Sequence, residues 1–377
     1  MTTTKAAAKE TSSHEKLFHI VKRTDLPFWK SWLIRISAVV ISLIICAVIY
    51  LLLTGDNPLQ FYATMIKGSF GSARRIWALL QGVALLLCVA LAVTPAFKMR
   101  FWNIGAEGQV LIGGLGATAI MLLLGHTLPA PLVLILVVIT SILCGAIWGV
   151  IPAIFKAFWN TNETLFTLMM NYIAIQIVSY FTYIWSSNKG NNVINTINAD
   201  NHAGWLELPA SIDKYGYLMN IIIVAVLTVC LYFYLNRSKQ GYEIAVVGES
   251  INTAKYAGIN VKKVIIRTML ISGAICGVAG MLLVAGTDHS ITPTAAGGRG
   301  FTAIMVSWLA KFNPAFMVLT SFLLVFMERG AGEISTVFGL NSSFSDIITG
   351  IIIFFIIGSE FFINYSIKFR VKEAKEK

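Results

Sequence analysis

Eight apolar stretches recur along the chain, and each is close to the ~20 residues that an α-helix needs to cross a bilayer. They cover residues 33–53, 76–95, 103–125, 131–151, 163–186, 216–235, 264–286 and 345–367. Two shorter apolar pieces, 293–310 and 314–327, are separated by Asn313-Pro314, where proline removes a backbone donor and restrains the residue before it. The sequence therefore predicts an all-α polytopic membrane protein with about ten transmembrane helices, some of them short or broken.

The composition excludes a soluble globular domain. Hydrophobic residues make up 56% of the 377 residues and charged residues only 12%, whereas soluble domains carry about 25% charged residues. The first 30 residues are hydrophilic and too long for the charged start of a cleavable signal peptide. The 33–53 run is also longer than a signal core, so we expect it to stay in place as a membrane anchor.

Basic residues indicate the orientation, because short cytoplasmic loops are enriched in lysine and arginine. The formal net charge of +11 comes mainly from three segments, which are a basic arm at 1–32, a loop at 237–263 and a tail at 368–377. All three are predicted to be cytoplasmic, so both termini lie inside. The arm and the tail flank a permease domain at 33–367, and the loop belongs to that domain. Lys67, Arg74 and Arg75 in the first outer loop are exceptions. Basic residues beside a membrane usually meet anionic lipid, so no nucleic-acid partner is predicted.

Motifs for catalysis and metal binding are absent from the sequence. The five cysteines lie singly in apolar runs, with no CxxC or Cys/His pairing that would indicate a zinc site or a disulfide framework. There is no GxSxG, HExxH or GxxxxGK[ST] pattern. We expect a chain that is not an enzyme, binds no cofactor and cannot hydrolyse ATP by itself.

The segment from Asn103 to Gln109 places a carboxylate, two carboxamides and glycines at the start of a long apolar run. Because an unpaired carboxylate is costly in hydrocarbon, Glu107 is either a structural acid bound to a neighbouring helix or a group that faces a solute path. If the helix begins at Asn103, then Asn103 and Glu107 share one face and Gln109 points almost the opposite way.

A polar stripe opens the fifth span. Asn160, followed by Glu163 three residues later, suits a capping box. Thr164, Thr167 and Asn171 then follow along the helix, and such a stripe serves either interhelical hydrogen bonding or a solute-facing wall.

The loop from Arg237 to Lys263 is too polar to cross a bilayer but is not typical of a flexible loop. Ser250 or Asn252 can cap a short helix that ends at Gly258. A cytoplasmic partner could bind this helix, or the helix could lie on lipid headgroups. Glycines mark close helix packing, with a GxxxG spacing at Gly273 and Gly277 and five glycines between 105 and 116.

Four separate blocks carry a family resemblance. They are FWNIGAEGQVLIGG at 101–114, NETLFTLMMNYIA at 162–174, GYEIAVVGESINTAKYAGINVKK at 241–263 and ISGAICGVAG at 271–280. Together they resemble the permease subunits of ATP-binding-cassette importers for simple sugars and nucleosides, the branched-chain amino acid and ribose permease superfamily. The resemblance runs from about residue 60 to 365 and is closest to the nucleoside-uptake branch.

The resemblance implies a permease that moves nucleosides or related sugars across the cytoplasmic membrane by alternating access. It implies a cytoplasmic ATPase that hydrolyses ATP, a second permease subunit in a heterodimer and an extracellular substrate-binding lipoprotein. The implied substrate path includes Asn103, Glu107, Gln109, Thr164, Thr167 and Asn171. The implied ATPase-coupling residues are Gly241, Tyr242, Glu243, Gly248, Ser250, Asn252, Ala254, Tyr256, Ala257 and Gly258.

Three features depart from the family pattern, and one rival function stays open. Thr302 follows Gly300-Phe301 where family members usually carry an acid, Ala310-Lys311 replaces a glycine that family members usually carry near 310, and the basic arm has no counterpart. The alternative function is an ion-coupled secondary transporter of a small polar solute, which would need intramembrane acids at a helix break.

Overall fold

The fold was analysed in a computed structural model that describes residues 18–23, 26–55, 57–186, 194–208 and 216–369. Most of the predicted basic arm and tail lie outside these residues. The described α-helices are α1 (Phe28–Thr54), α2 (Pro58–Phe70), α3 (Ala73–Lys98), α4 (Ala106–Leu124), α5 (Ala130–Trp159), α6 (Glu163–Trp185), α7 (Leu218–Arg237), α8 (Lys239–Glu249), α9 (Ile251–Tyr256), α10 (Val261–Leu283), α11 (Arg299–Leu309), α12 (Pro314–Val337) and α13 (Ser342–Asn364).

The prediction of an all-α polytopic membrane protein is confirmed. Within the described residues, nine helices are long and apolar enough to cross a bilayer. The tenth predicted span, at 293–310, is short: only α11 is helical there, and it covers about half of a ~30 Å bilayer core. The predicted break at Asn313-Pro314 separates α11 from α12. The piece at 314–327 is longer than predicted, since α12 continues through Glu328 and Arg329 to Val337. Charged residues ended the apolar run without ending the helix.

Two compact units make up the chain. The first comprises residues 1–56 and 350–377, and the second comprises residues 57–349. In the first unit, strand β1 (Phe18–Lys22) pairs antiparallel with strand β2 (Tyr365–Phe369), with Ile20 opposite Ile367. This strand pair was not predicted. The Arg35 guanidinium on α1 donates to the Glu360 carboxylate on α13, with an Nε–Oε1 distance of 3.0 Å. The ion pair compensates two charges that would each be costly alone within a membrane.

Helix α10 lies at the centre of the second unit and packs against α5, α4 and α3. Most residues of α3, α4 and α10 are buried, whereas only about a quarter of the residues of α5, α6 and α7 are buried. Helix α10 ends in a π-helical turn, Val284–Asp288. The chain then continues without regular structure to Gly298, which precedes α11.

Glycines permit the close packing around α10, as the GxxxG spacing predicted. A Cβ on Gly277 would overlap the carbonyl oxygen of Ser141 on α5, and a Cβ on Gly273 would overlap that of Gly145. On the other side, a Cβ on Gly113 of α4 would lie 2.6 Å from the Cα of Gly277. Because lipid supplies little hydrophobic force between helices, such close backbone contact is a main source of helix association.

Changing Gly277 to alanine should therefore destabilise the protein, because one methyl group has no space between α10 and α5. We expect a loss of about 1–3 kcal/mol, as for other overpacked cores, measured as a lower thermal unfolding midpoint of the purified protein. Gly358→Ala is the matched control, because no atom lies within 4 Å of a Cβ built there. Equal midpoints for the two variants would contradict the packing role of Gly277.

Candidate functional site

A turn from Phe101 to Gly105 leads into α4, and its polar side chains are buried. Helix α4 begins at Ala106, so Asn103 precedes the helix. The Asn103 side chain is fully buried, and its Oδ1 accepts from the backbone N–H of Gly105 at 3.0 Å. Its Nδ2 donates to Gln109 at 3.4 Å and to Ser272 of α10 at 3.3 Å. The prediction that Asn103 and Gln109 point in opposite directions is wrong, because it assumed a helix that starts at Asn103.

The polar stripe of α6 binds this turn. Asn171 accepts from the N–H of Gly108 and donates to the carbonyl oxygen of Ile104, both at 2.8 Å. Thr167 accepts from the N–H of Ile104 at 3.2 Å. Thr164, one turn earlier on α6, is only half-buried. The stripe thus joins α6 to the start of α4 through hydrogen bonds.

The cap of α6 differs from the predicted capping box. Asn162 is the N-cap, and its Oδ1 accepts from the N–H groups of Thr164 and Leu165. Asn160 instead ends α5 in a left-handed conformation, with φ of 51°. Glu163 forms an ion pair with Lys156 at 2.9 Å, so its carboxylate does not bind back to the N-cap backbone. The signal for a helix start was correct, but its position was two residues too early.

Glu107 binds the N-terminus of α11. Its Oε1 accepts from the N–H of Gly298 and its Oε2 from the N–H of Gly300, both at 2.7 Å, and the residue is 8% exposed. A half-helix that begins inside a bilayer leaves N–H groups without water, which is costly. The carboxylate satisfies two of them and complements the positive end of the helix dipole.

The predicted path residues therefore come together but use their polar atoms within the protein. Asn103, Glu107, Gln109, Thr167 and Asn171 are all at most 8% exposed and all hydrogen-bonded. In this conformation they position the start of α4 and the start of α11. Their contact with a solute stays a prediction.

An aromatic cluster at the other end of α11 was missed by the sequence analysis. Trp102 and Trp308 are 45% and 47% exposed, and their ring centroids lie 5.6 Å apart. Phe97 contacts both rings edge-on. The exposed residues of α11, Phe301 and Trp308, are seven positions apart, a helical spacing that could have indicated this face.

The loop between α7 and α10 folds into two short helices, α8 and α9. Ser250 caps α9 by accepting from the N–H of Thr253, as predicted, and Gly258 follows α9 with φ of 74°. Glu243 of α8 forms an ion pair with Arg267 of α10 at 3.0 Å. This segment is therefore an ordered structure that is tied to the bundle.

Eight of the ten predicted coupling residues divide into two groups, and the other two, Glu243 and Ser250, are half-buried. One group faces the bundle. A Cβ on Gly241 would overlap the carbonyl oxygen of Tyr234, a Cβ on Gly248 would overlap that of Lys98, and Ala254 is fully buried. Ala254, which is among the predicted coupling residues, is therefore not available as a direct contact for a partner in this structure. The exposed group is Tyr242, Asn252, Tyr256, Ala257 and Gly258, of which Tyr256 is 92% exposed.

A cleft of about 510 Å³ opens beside α8 and α9. Its walls are the turn Met99–Phe101, the Lys156–Glu163 ion pair, the segment Val247–Asn252 and Ile265. Elsewhere, no three His, Cys, Asp or Glu side chains within the described residues are placed to hold a metal ion.

Comparisons with known proteins agree in pointing to transport. Residues 75–357 match the family described as branched-chain amino acid transport system / permease component. The chain is 32% identical over 348 residues to the guanosine ABC transporter permease protein NupP of Bacillus subtilis, covering 92% of this chain and 97% of that protein. It is 26% identical over 355 residues to the glucose ABC transporter permease protein TsgB13 of Haloferax volcanii, covering 92% of each. It is 27% identical to the nucleoside ABC transporter permease protein NupB of Lactococcus lactis, covering 86% of this chain and 90% of NupB.

Replacing Glu107 by glutamine should destabilise the protein more than it alters transport. Glutamine keeps one acceptor but places an amide N–H₂ against a backbone N–H, so one hydrogen bond is lost and a buried donor is left unsatisfied. We expect a loss of about 1–3 kcal/mol, measured by thermal unfolding and by uptake on the same purified complex. Glu249→Gln, at the exposed end of α8, is the control. A stable Glu107→Gln variant with altered uptake would instead assign Glu107 to the solute path.

Proposed function

This chain belongs to the branched-chain amino acid transport system / permease component family, and we propose that it is the permease of an ATP-driven importer whose solute is a nucleoside. The observation that carries the choice of solute is the near full-length similarity to a guanosine permease and a nucleoside permease. A related sugar is the second candidate, supported by the similarity to a glucose permease. A nucleoside offers a flat base and a hydroxyl-rich ribose, so aromatic and amide side chains suit its path.

A permease of this family is a multi-pass membrane protein that works with an ATPase and a solute-binding protein. We propose that both termini and the α8–α9 end lie in the cytoplasm. The basic residues of the 237–263 loop support this orientation. Of the three outer exceptions, Arg75 forms an ion pair with Glu333 at 2.6 Å, so its charge is compensated. The binding lipoprotein then docks on the opposite, extracellular end.

We propose that α8 and α9 couple the movement of the ATPase to the movement of this chain. Their exposed groups, Tyr242 and Tyr256, provide a surface for the ATPase, while the backbone at Gly248 contacts the end of α3. ATP-driven closure of the ATPase pair would move this end of the bundle and open or close a path between this chain and a second permease, as a heterodimer. ATP is bound and hydrolysed by the partner, and this chain holds no cofactor.

The rival function, ion-coupled secondary transport, receives less support from the geometry. Its coupling site would need an acid that is free to bind a proton or a cation near a helix break. Glu107 does lie at such a break, but both of its oxygens accept backbone hydrogen bonds. Glu360 is paired with Arg35. Glu107 and Glu360 therefore both have fixed structural partners.

Changing Tyr256 to aspartate should weaken ATPase association without unfolding the permease, because the ring is 92% exposed. We expect at least a tenfold loss of the co-purified ATPase and of ATP-driven uptake, about 1.4 kcal/mol or more at the contact. The control is Thr336→Asp, which changes an exposed residue near the C-terminal end of α12, away from α8 and α9. Normal co-purification of the Tyr256 variant would locate the ATPase contact elsewhere.

Reconstituted alone, this chain should neither hydrolyse ATP nor accumulate nucleoside, because its sequence has no phosphate-binding loop. Adding the ATPase, the second permease and the binding protein should produce ATP-dependent uptake of radiolabelled nucleoside into proteoliposomes. Liposomes with a hydrolysis-deficient ATPase are the control. Concentrative uptake by this chain alone, driven by a proton gradient, would establish the rival function.

A further inference from the structure

An aromatic stack joins the 194–208 segment to the end of helix α10. The rings of His202 and His289 both stack on the indole of Trp205, with centroid distances of 4.1 and 3.7 Å and interplanar angles of 23° and 11°. Two rings this close to one centroid cannot share a face, so the indole lies between them. His202 belongs to the same segment as Trp205, whereas His289 directly follows the π-helical turn of α10. The stack therefore holds the segment against the bundle.

Backbone hydrogen bonds accompany this contact. The N–H of Ile197 donates to the carbonyl oxygen of His289, and the N–H of Leu206 donates to a carbonyl oxygen of the π-helical turn, both at 2.8 Å. The segment is also tied to α4, because the side-chain amide of Asn198 donates to the carbonyl oxygen of Met121 at 2.9 Å. The segment thus bridges the ends of α4 and α10.

The two histidines differ in what their Nδ1 atoms contact. Nδ1 of His202 lies 2.9 Å from the Glu207 carboxylate, and the His202 side chain is 53% exposed. Nδ1 of His289 is buried and has no hydrogen-bond partner among the described residues. A neutral ring with its proton on Nε2 leaves no donor unsatisfied at this nitrogen. Protonation of His289 would instead place a charged N–H donor there without an acceptor.

The surroundings of His289 give the direction of a pH effect. Burial lowers its pKa, whereas the Glu207 carboxylate raises it and a charged His202 lowers it further. Of the other acids in these elements, Asp288 and Asp200 are exposed to solvent. A buried charged donor without an acceptor costs more than its attraction to an indole face returns. The stack is therefore at full strength above the ordinary histidine pKa of about 6.5, and it weakens as the pH falls below that value.

We propose that this stack is an acid-sensitive latch: neutral His289 holds the 194–208 segment on the end of α10, and protonation of His289 releases the segment. His202 stays with Trp205, because both belong to the segment. Release frees the π-helical turn and the irregular chain that leads to α11. On the proposed orientation this end of the bundle is extracellular, so the latch responds to the pH outside the cell. This inference goes beyond the proposed function and does not depend on the solute.

The test measures amide hydrogen exchange of the full-length protein, with its co-purified subunits, in lipid nanodiscs. Exchange is followed about one pH unit above and about one below the ordinary histidine pKa, and each rate is divided by the intrinsic rate at that pH. We expect the protection of the Ile197 and Leu206 amides to fall about fivefold in acid, because a single proton drives the release. Amides near Gly277, in the buried middle of α10, should keep their protection within about twofold.

Three variants separate the latch from a general effect of acid. His289→Phe keeps a ring for stacking but has no site for a proton, so protection should stay high in acid. His202→Phe is the matched control on the other face of the indole, and it should keep the fall of the unmodified protein. Trp205→Ala removes the partner of both rings, so protection should be low at both pH values.

An unmodified protein that shows no fall in acid would overturn the proposal. An equal fall in His289→Phe would also overturn it, and loss of the fall in His202→Phe would assign the switch to the His202–Glu207 pair instead. The backbone at His289 is left-handed, with φ of 48°, so a new side chain there can hinder folding. If His289→Phe does not assemble, Trp205→Ala decides, because either full protection or an unchanged fall without the indole would rule out the latch.

Discussion

The two hydrogen bonds that backbone N–H groups at the N-terminus of α11 donate to the Glu107 carboxylate are the interaction on which this permease depends. A helix of 11 residues cannot cross a bilayer, so its first turn must begin where water is scarce. Backbone N–H groups in that position need an acceptor. Once Glu107 supplies it, the irregular segment before α11 can lie within the bundle, and the aromatic end of α11 can lie beside Trp102.

The buried polar residues around α4 support the same arrangement. Asn171 and Thr167 bind the backbone on either side of Gly105, and Asn103 connects this turn to α10. Removing one member would leave buried donors or acceptors unsatisfied, which costs more than the hydrogen bond itself contributes. The chain therefore concentrates its polar side chains where its backbone is least regular.

The sequence predicted the spans well because an apolar run of ~20 residues matches the thickness of a bilayer and is rare in soluble domains. It also predicted that Glu107 needs a partner, but it could not identify the partner, because Gly298 and Gly300 are almost 200 positions away. Local patterns were misleading at Asn160 and Asn103, where the helix start lies two or three residues later than assumed. Ala254 was included among the coupling residues because a small apolar residue in a polar loop does not reveal which side it faces. The pairing of β1 with β2 joins distant parts of the chain and has no local signal.

Gly248 allows α8 to contact the end of α3 through backbone atoms. With no side chain at this position, the backbone of α8 rests directly on the carbonyl oxygen of Lys98 at the end of α3. Further along α3, the hydroxyl of Ser307 on α11 donates to the carbonyl oxygen of Ala90 at 2.9 Å. Side chains can change rotamer and absorb a displacement, but backbone segments in direct contact cannot. A displacement of α8 therefore acts directly on the end of α3, and α3 contacts α11 through the Ser307 hydroxyl.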